Sequence, residues 1–206
     1  MANIYFISGP CGCGKSSLTD ALADYMVKVE KHTRIYVIHG DDYHHGFVGM
    51  YEEDPDLTDI GPLSWKEVLK FNWECIIDVA GKALVRGLDV VIDYVVEEEM
   101  PLLQKLAAEY NASLYYIVLT ASEETIVERI RKRGDDELVE RAKFLKHKLD
   151  NLPENQGHLY DNTGKSIDQE VQEIIRKLKE DTLKNEYGIQ HKNFGKNVES
   201  AGQGRT

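Results

Sequence analysis

The chain has 206 residues, 42% of them hydrophobic and 30% charged, a composition typical of a single globular, soluble domain. Its 36 acidic and 25 basic side chains give a formal net charge of -11, which disfavours contact with a nucleic-acid backbone. No apolar run approaches the ~18 residues of a membrane-spanning helix, and the apolar start NIYFIS lacks the basic lead of a secretory signal. The three cysteines match neither a disulfide framework nor a zinc site, so we expect a reduced, cytoplasmic protein.

Short β-rich runs alternate with longer runs of helical periodicity along the chain. Strands are predicted at 3–8, 34–39, 89–96, 113–120 and, more weakly, 158–162. Helices are predicted to start at Gly14, Ser64, Ser122 and Ser166 and to lie around 102–108, with 134–155 helical in part. Ser64 and Glu67, like Ser166 and Gln169, have capping-box spacing. The alternation predicts an α/β fold of three αβα layers around a five-stranded parallel sheet.

One domain is predicted, since no linker divides the chain into comparable parts and no internal repeat is evident. Residues 1–180 carry the periodic pattern. From 181 to 206 the sequence is polar, contains several glycines and has no sustained periodicity. We expect these residues to form a loose C-terminal tail.

The junction between the first strand and the first helix reads ISGPCGCGKSSL and matches the P-loop pattern G-x-x-x-x-G-K-[ST]. Backbone N–H groups of such a loop surround phosphate oxygens, and the helix N-terminus adds its positive dipole end. Lys15 is predicted to reach the β- and γ-phosphates and Ser16 to ligate Mg²⁺. We expect Cys11 and Cys13 to contribute to phosphate binding through their backbone more than through their sulfur atoms. The residues predicted to bind the nucleotide are Gly9, Pro10, Cys11, Gly12, Cys13, Gly14, Lys15, Ser16 and Ser17.

Acidic side chains follow the second and third predicted strands, at the sheet edge where open α/β sheets bind ligands. Asp41 is the first choice for a carboxylate that accepts the proton of an acceptor hydroxyl, and Asp42 is the second. The alternative is that both cap a turn or a helix. Asp93 ends the apolar run VVID and is predicted to hold Mg²⁺ directly or through water, or else to touch the acceptor.

A basic region begins in the helix that carries ERIRKRG, where Arg129 and Arg133, four residues apart, share a face. Arg131, Arg141, Lys143 and Lys146 add positive charge. We interpret 122–157 as a lid that closes over ATP, in which Arg129, Arg133 and Arg141 stabilise the transferred group. The alternative is a solvated surface balanced by neighbouring acids.

These motifs resemble the small P-loop kinases of the adenylate-kinase-like fold, especially the gluconate kinase, shikimate kinase and chloramphenicol phosphotransferase group. The resemblance covers 3 to about 180 through GPCGCGKSS, GDDYHH, VVIDY and YDNTGKS. It implies a P-loop NTPase fold with a helical lid, the use of ATP and Mg²⁺, and transfer to a small molecule whose hydroxyl lies near Asp41. It also places 162–165 near the adenine. The chain lacks the RP and GG dipeptides associated with shikimate binding, so shikimate is not implied.

The predicted acceptor region, 41–88, is strongly acidic, with ten acids against four Lys or Arg. Such a field disfavours phosphate-bearing acceptors, so a neutral or cationic hydroxyl compound is the predicted substrate. Two alternatives stay open. One is a regulatory nucleotide-binding protein that transfers no phosphate. The other is a polynucleotide 5'-hydroxyl kinase, because the DDY stretch also resembles the acceptor side of those enzymes. The aromatic residues that either line this site or fill core and surface positions are Tyr43, His44, His45, Trp65 and Trp73.

Overall fold

The computed structural model describes residues 2–31, 34–47 and 64–185. The strands in these ranges are β1 (Asn3–Ser8), β2 (Ile35–His39), β3 (Asp89–Asp93), β4 (Ser113–Thr120) and β5 (Leu159–Asp161). The helices are α1 (Lys15–Lys28), α2 (Asp41–His45), α3 (Trp65–Val85), α4 (Met100–Glu109), α5 (Glu123–Arg133), α6 (Val139–Asn151) and α7 (Ile167–Lys179). None of these helices is long and apolar enough to cross a bilayer.

The five strands form one parallel sheet in the order β2-β3-β1-β4-β5, as the sequence predicts. Because the strands are parallel, their carboxyl ends lie along one edge. β1 is central, so the loop that follows it opens in the middle of that edge, where open α/β sheets bind ligands. The ends of β2 and β3 lie beside it and bring the predicted acidic residues to the same edge.

Alternate residues of β1 enter two separate cores, one on each face of the sheet. Ile4 and Phe6 are fully buried in the cluster that includes residues of α3 and α4. Tyr5 and Ile7 are buried in the cluster that includes residues of α1 and α7. The three-layer αβα architecture is therefore confirmed, with β1 sandwiched between its two helical layers.

The two predicted capping boxes are both present. The Ser64 hydroxyl accepts a hydrogen bond from the backbone N–H of Glu67 (3.3 Å), and the Glu67 carboxylate accepts one from the backbone N–H of Ser64 (2.8 Å). Ser166 and Gln169 make the equivalent reciprocal pair before α7. Both helices therefore begin where the sequence predicts, because the signal is local.

The third strand is shorter than predicted: it ends at Asp93, and the sequence-based range 89–96 is wrong in its last three residues. Beyond Asp93 the chain leaves the sheet, and the Val96 N–H donates to the Ser8 hydroxyl (3.1 Å) instead of a strand carbonyl. Ser8 is fully buried. A buried hydroxyl thus takes the place of a carbonyl on a neighbouring strand as the partner of the Val96 N–H. The apolar pattern of the sequence does not reveal this exchange.

The start of the predicted tail is packed against the sheet. Leu183 is 1% exposed, and its carbonyl accepts a hydrogen bond from the Tyr116 N–H (2.9 Å). The Asn185 N–H donates to the Leu114 carbonyl (2.8 Å), and Lys184 forms an antiparallel bridge with Tyr115. The remainder of the predicted tail, 186–206, lies outside the described residues.

Gly40 joins β2 to α2 and lies against the ring of Tyr94. A Cβ at position 40 would lie 2.5 Å from ring atoms of Tyr94. We expect Gly40→Ala to lower the free energy of unfolding by about 1–3 kcal/mol, since overpacking a filled core forces its neighbours to move. Urea denaturation measures this change. Gly157→Ala is the matched control, because a Cβ there meets nothing within 4 Å; equal stability of the two variants would contradict the prediction.

Candidate functional site

The loop between β1 and α1 is fixed by close packing at two glycines with positive φ. At Gly9 (φ 147°) a Cβ would lie 2.6 Å from the Leu119 carbonyl oxygen of β4. At Gly12 (φ 77°) it would lie 2.8 Å from the Ile130 side chain of α5. Both positions therefore exclude a side chain, and the loop backbone is clamped between the central sheet and α5.

Lys15 begins α1 and folds back over this loop. Its side chain is 9% exposed, and the ammonium group donates to the Pro10 carbonyl (3.3 Å). Burial lowers the pKa of Lys15, but the neighbouring Cys13 and Cys11 side chains, followed by Asp41 and Asp93, outweigh burial and raise this pKa above its ordinary value. The lysine is therefore a cation at neutral pH, placed at the centre of the loop.

The two loop cysteines have different surroundings. Cys13 is fully buried, and burial raises the pKa of its thiol. Its carbonyl accepts hydrogen bonds from Arg129 (3.2 Å) and from the Asn162 amide (2.8 Å), so its backbone ties the loop to α5 and to the turn after β5. Cys11 is half-buried and lines a cavity of about 530 Å³ that opens beside the loop.

Ser16 and Asp93 meet beside Lys15, as the sequence analysis predicts for a Mg²⁺ site. The Ser16 hydroxyl donates to one carboxylate oxygen of Asp93 (3.0 Å). Mg²⁺ prefers oxygen ligands and commonly takes only one or two from protein, with water and substrate phosphates supplying the others. The hydroxyl and carboxylate next to the phosphate loop fit this requirement. In the described part of the chain, no group of three or more His, Cys, Asp or Glu side chains could hold a metal ion.

His39 contacts the second oxygen of Asp93. Strand register places His39 opposite Asp93, and the His39 Nδ1 atom donates to that oxygen (2.5 Å). The Nε2 atom of His39 lies 3.2 Å from a carboxylate oxygen of Asp20 on α1. Partial burial lowers the pKa of His39, but its hydrogen bond with Asp93 and the nearby carboxylates outweigh burial and raise it. The sequence does not reveal this contact, because His39 and Asp93 lie 54 residues apart and only the pairing of β2 with β3 brings them together.

A cavity of about 530 Å³ extends from the phosphate loop along α2 and the start of α3. Asp41 lines it and the exposed Asp42 does not, although both lie in the first turn of α2. Of the aromatic candidates, Trp73 is buried in the core and Tyr43 packs against it. The remaining three face the cavity together with residues that the sequence analysis did not single out. The side chains that line this cavity away from the phosphate loop include Asp41, His44, His45, Trp65, Leu69, Tyr94, Val95 and Glu137.

The three predicted arginines have different hydrogen-bond partners. Arg129 binds the loop carbonyl of Cys13, whereas Arg133 pairs with Asp135 (2.5 Å) and Arg141 pairs with Glu97. Arg133 and Arg141 line the cavity of about 530 Å³ beside the phosphate loop. Arg129 and Arg133 share no hydrogen-bond partner, but both line a smaller cavity of about 370 Å³ on the other side of that loop.

Glu97 anchors the predicted lid to the loop after β3. It pairs with Arg141 and also with Lys148 (2.7 Å), both on α6. Burial alone would raise the pKa of Glu97, but the hydrogen bond from Lys148 and the charge of Arg141 outweigh it and lower this pKa. Sequence analysis could not find these pairs, because their partners lie more than 40 residues apart.

A second cavity, of about 370 Å³, lies on the other side of the phosphate loop. Asn162 and Lys165, which the family resemblance places near an adenine, line it together with Arg129. Asn162 is 1% exposed and also donates to Glu170 (3.1 Å). The loop thus separates two spaces. One is lined by α2, the start of α3 and the predicted lid, and the other by α7, the turn before it, and Arg129 and Arg133 of α5.

This fold and loop define a P-loop nucleotide-binding domain with the architecture of the P-loop kinases. The sequence pattern of a family described as an AAA domain matches residues 4–154, and the chain belongs to that family. A guanylate kinase of Haemophilus ducreyi is 26% identical over 165 residues, which are 74% of this chain and 75% of that protein. A guanylate kinase of Shewanella oneidensis is 29% identical over 142 residues, 65% of this chain and 66% of that protein.

Solved structures of kinases share the fold. The Mycobacterium tuberculosis APS kinase, in complex with AMPPNP and APS, superimposes with a TM-score of 0.62 at 22% identity, over 86% of this chain and 98% of that one. A gluconokinase of Sinorhizobium meliloti gives a TM-score of 0.52 at 18% identity, over 87% of this chain and 92% of that one. The predicted likeness to the gluconate and shikimate kinase group is confirmed at the level of fold.

Cys11 offers a test of the phosphate loop. We expect alkylation of Cys11 by N-ethylmaleimide to weaken nucleotide binding roughly tenfold or more, because an added group would crowd the loop. Fluorescence titration with a labelled ATP analogue measures this affinity. Cys11→Ser is the matched variant and should keep its affinity after the same treatment, whereas Cys75→Ser should remain sensitive. Full modification of Cys11 without loss of affinity would contradict the prediction.

Proposed function

We propose that the protein is an ATP-dependent phosphotransferase that moves the γ-phosphate of ATP to a hydroxyl of a small neutral or cationic molecule. The observation that carries the proposal is the position of Asp41, which lines the same cavity as Lys15 and Ser16. A phosphate-binding cation and a carboxylate that can accept a proton therefore face one space. Kinases need this pair of groups on opposite sides of the transferred phosphoryl group.

On the nucleotide side, the loop N–H groups and Lys15 would bind the phosphates, and Ser16 and Asp93 would hold Mg²⁺. When bound, Mg²⁺ supplies positive charge that offsets the phosphate oxygens. Lys15 is already charged and buried, so it needs no rearrangement of solvent to stabilise the negative charge of the transferred group. Its present partner, the Pro10 carbonyl, is neutral and would be exchanged for a phosphate oxygen.

On the acceptor side, the substrate hydroxyl oxygen would attack the γ-phosphorus while the bond from phosphorus to the β-phosphate oxygen breaks. Asp41 would accept the hydroxyl proton, and ADP would leave with the electron pair of the broken bond. Arg133 and Arg141 would exchange their carboxylate partners for the transferred group as the lid closes. Their positions on the cavity wall support this role.

The charge of the acceptor region supports a neutral or cationic acceptor. Both arginines on the cavity wall are assigned to the transferred phosphoryl group, which leaves the carboxylates of Asp41 and Glu137 to face the acceptor. The stretch 48–63, outside the described residues, contains five acids and no Lys or Arg in its sequence. A phosphate-bearing acceptor usually requires arginines for its phosphate. The acceptor of the guanylate kinases is therefore the less favoured choice, despite the sequence similarity.

The deciding experiment is an ADP-release screen over sugars, nucleosides, amino alcohols and hydroxylated antibiotics. Guanosine monophosphate and a 5'-hydroxyl oligonucleotide belong in the same screen. Turnover of the first group alone supports the proposal. Turnover of guanosine monophosphate, or salt-sensitive turnover of the oligonucleotide, would replace it with a nucleotide or nucleic-acid kinase. ATP binding without turnover of any acceptor would favour a regulatory protein.

Substitution of Lys15 tests its proposed role in stabilising the transferred phosphoryl group. We expect Lys15→Ala to reduce turnover by about 100-fold or more, because the transferred phosphoryl group loses its preorganised cation. Lys28→Ala is the matched control, since Lys28 lies on the same helix, 70% exposed and paired with Asp24. Steady-state ADP release measures both. Wild-type turnover of Lys15→Ala would refute the assignment of the loop.

Substitution of Asp41 tests its proposed role as the base that accepts the hydroxyl proton. We expect Asp41→Asn to lower kcat by about 10²- to 10⁴-fold, the usual contribution of a general base, with ATP affinity unchanged. Asp42→Asn is the matched variant, because Asp42 is the next residue of the same helical turn but does not line the cavity. A larger loss in Asp42→Asn than in Asp41→Asn would assign the base to Asp42.

A further inference from the structure

Three contacts link four side chains beside the phosphate loop, and the backbone of α1 closes the ring between the first and the last of them. Ser16 and Asp20 lie four residues apart on α1 and so share a face of that helix. Asp93 contacts Ser16 through one oxygen (3.0 Å) and His39 through the other (2.5 Å). His39 then reaches Asp20 through its second ring nitrogen (3.2 Å). The ring thus joins α1, β2 and β3.

Asp93 is the member that most needs its partners. Its side chain is 1% exposed, whereas the side chain of Asp20 is 68% exposed and that of His39 is 26% exposed. A buried carboxylate is stable only when hydrogen-bond donors replace the water that it has lost. Ser16 and His39 are the donors that the structure shows. Without His39, one oxygen of Asp93 would lose its donor, and the carboxylate would be free to rotate.

We infer that His39 is a positioning residue for the magnesium site, which holds Asp93 so that one oxygen stays directed at Ser16, and that Asp20 in turn holds His39. The inference rests on the proposed binding of Mg²⁺ with the nucleotide, but not on the transfer of phosphate. Hydrogen-bond partners of metal ligands commonly orient those ligands. Here the orienting group comes from the neighbouring strand, through the register that pairs His39 with Asp93.

The register also limits which residue can take this role. β2 and β3 are parallel neighbours, and His39 is the last residue of β2, opposite the last residue of β3. The next residue, Gly40, has no side chain, and its N–H donates to the Asp93 carbonyl (2.8 Å). Asp41 follows and lines the cavity. Two adjacent functions, orientation of the metal ligand and acceptance of the proton, therefore come from one three-residue stretch.

The test measures metal binding in the absence of turnover. Mn²⁺ replaces Mg²⁺, and the non-transferable analogue AMPPNP replaces ATP. Electron paramagnetic resonance of free Mn²⁺ gives the affinity for the metal in the ternary complex. We expect His39→Ala to weaken Mn²⁺ binding by roughly tenfold or more, the usual effect of losing such a partner. AMPPNP affinity measured in EDTA should stay unchanged, because the loop contacts of the phosphates remain.

Three further variants separate positioning from general structural damage. His39→Asn keeps an N–H donor near the position of Nδ1 and should recover part of the metal affinity. Asp20→Asn alters only the exposed outer member and should cause a smaller loss than His39→Ala. His147→Ala, an exposed histidine on α6, is the matched control and should bind Mn²⁺ as the wild type does. Circular dichroism melting checks the fold of each variant.

Two outcomes would overturn the inference. One is unchanged Mn²⁺ affinity in a folded His39→Ala or, where that variant does not fold, in a folded His39→Leu, which likewise lacks the N–H donor. The other is an equal loss of AMPPNP affinity with and without metal, which would indicate a purely structural role. Neither outcome depends on the acceptor. The phosphotransferase proposal can therefore fail in the ADP-release screen while this inference holds, and this inference can fail while the screen supports the proposal.

Discussion

The burial of the Asp93 carboxylate is the constraint on which the nucleotide end of the molecule depends. A charge that is 1% exposed must be surrounded by donors, and here the donors come from the helix after β1 and from the end of β2. The first helix and the two neighbouring strands are therefore tied at one point. Under the proposed function, the same contacts that stabilise the charge also direct its oxygen to the metal site beside Ser16.

The basic residues near the phosphate loop each have a polar partner before any ligand binds. Arg133 and Arg141 are paired with carboxylates, and Lys15 is held by a carbonyl. Exposed ion pairs contribute little stability, so exchanging a carboxylate for a phosphate costs little. Under the proposed function, this arrangement keeps cations available for phosphate in an acidic protein without a large uncompensated positive charge.

The parts of the structure that the sequence predicts are those with local signals. The loop motif, the two capping boxes and the strand-helix alternation all depend on residues close together in the chain. The end of β3 was predicted too late because a buried hydroxyl from Ser8 replaces the sheet ladder there. The contacts of His39 with Asp93 and of Glu97 with Arg141 join residues more than 40 positions apart, and only strand register and lid packing bring them together.

The short stretch 181–185 has a practical consequence for handling the protein. β5 pairs with only the last three residues of β4, and the start of β4 on that side receives its hydrogen bonds from Leu183 and Asn185. A gene shortened to end at Glu180 would expose the backbone of Leu114 and Tyr116 as an open sheet edge. Open edges recruit strands from other molecules. Expression of a core version should therefore retain the chain through Asn185 to avoid aggregation.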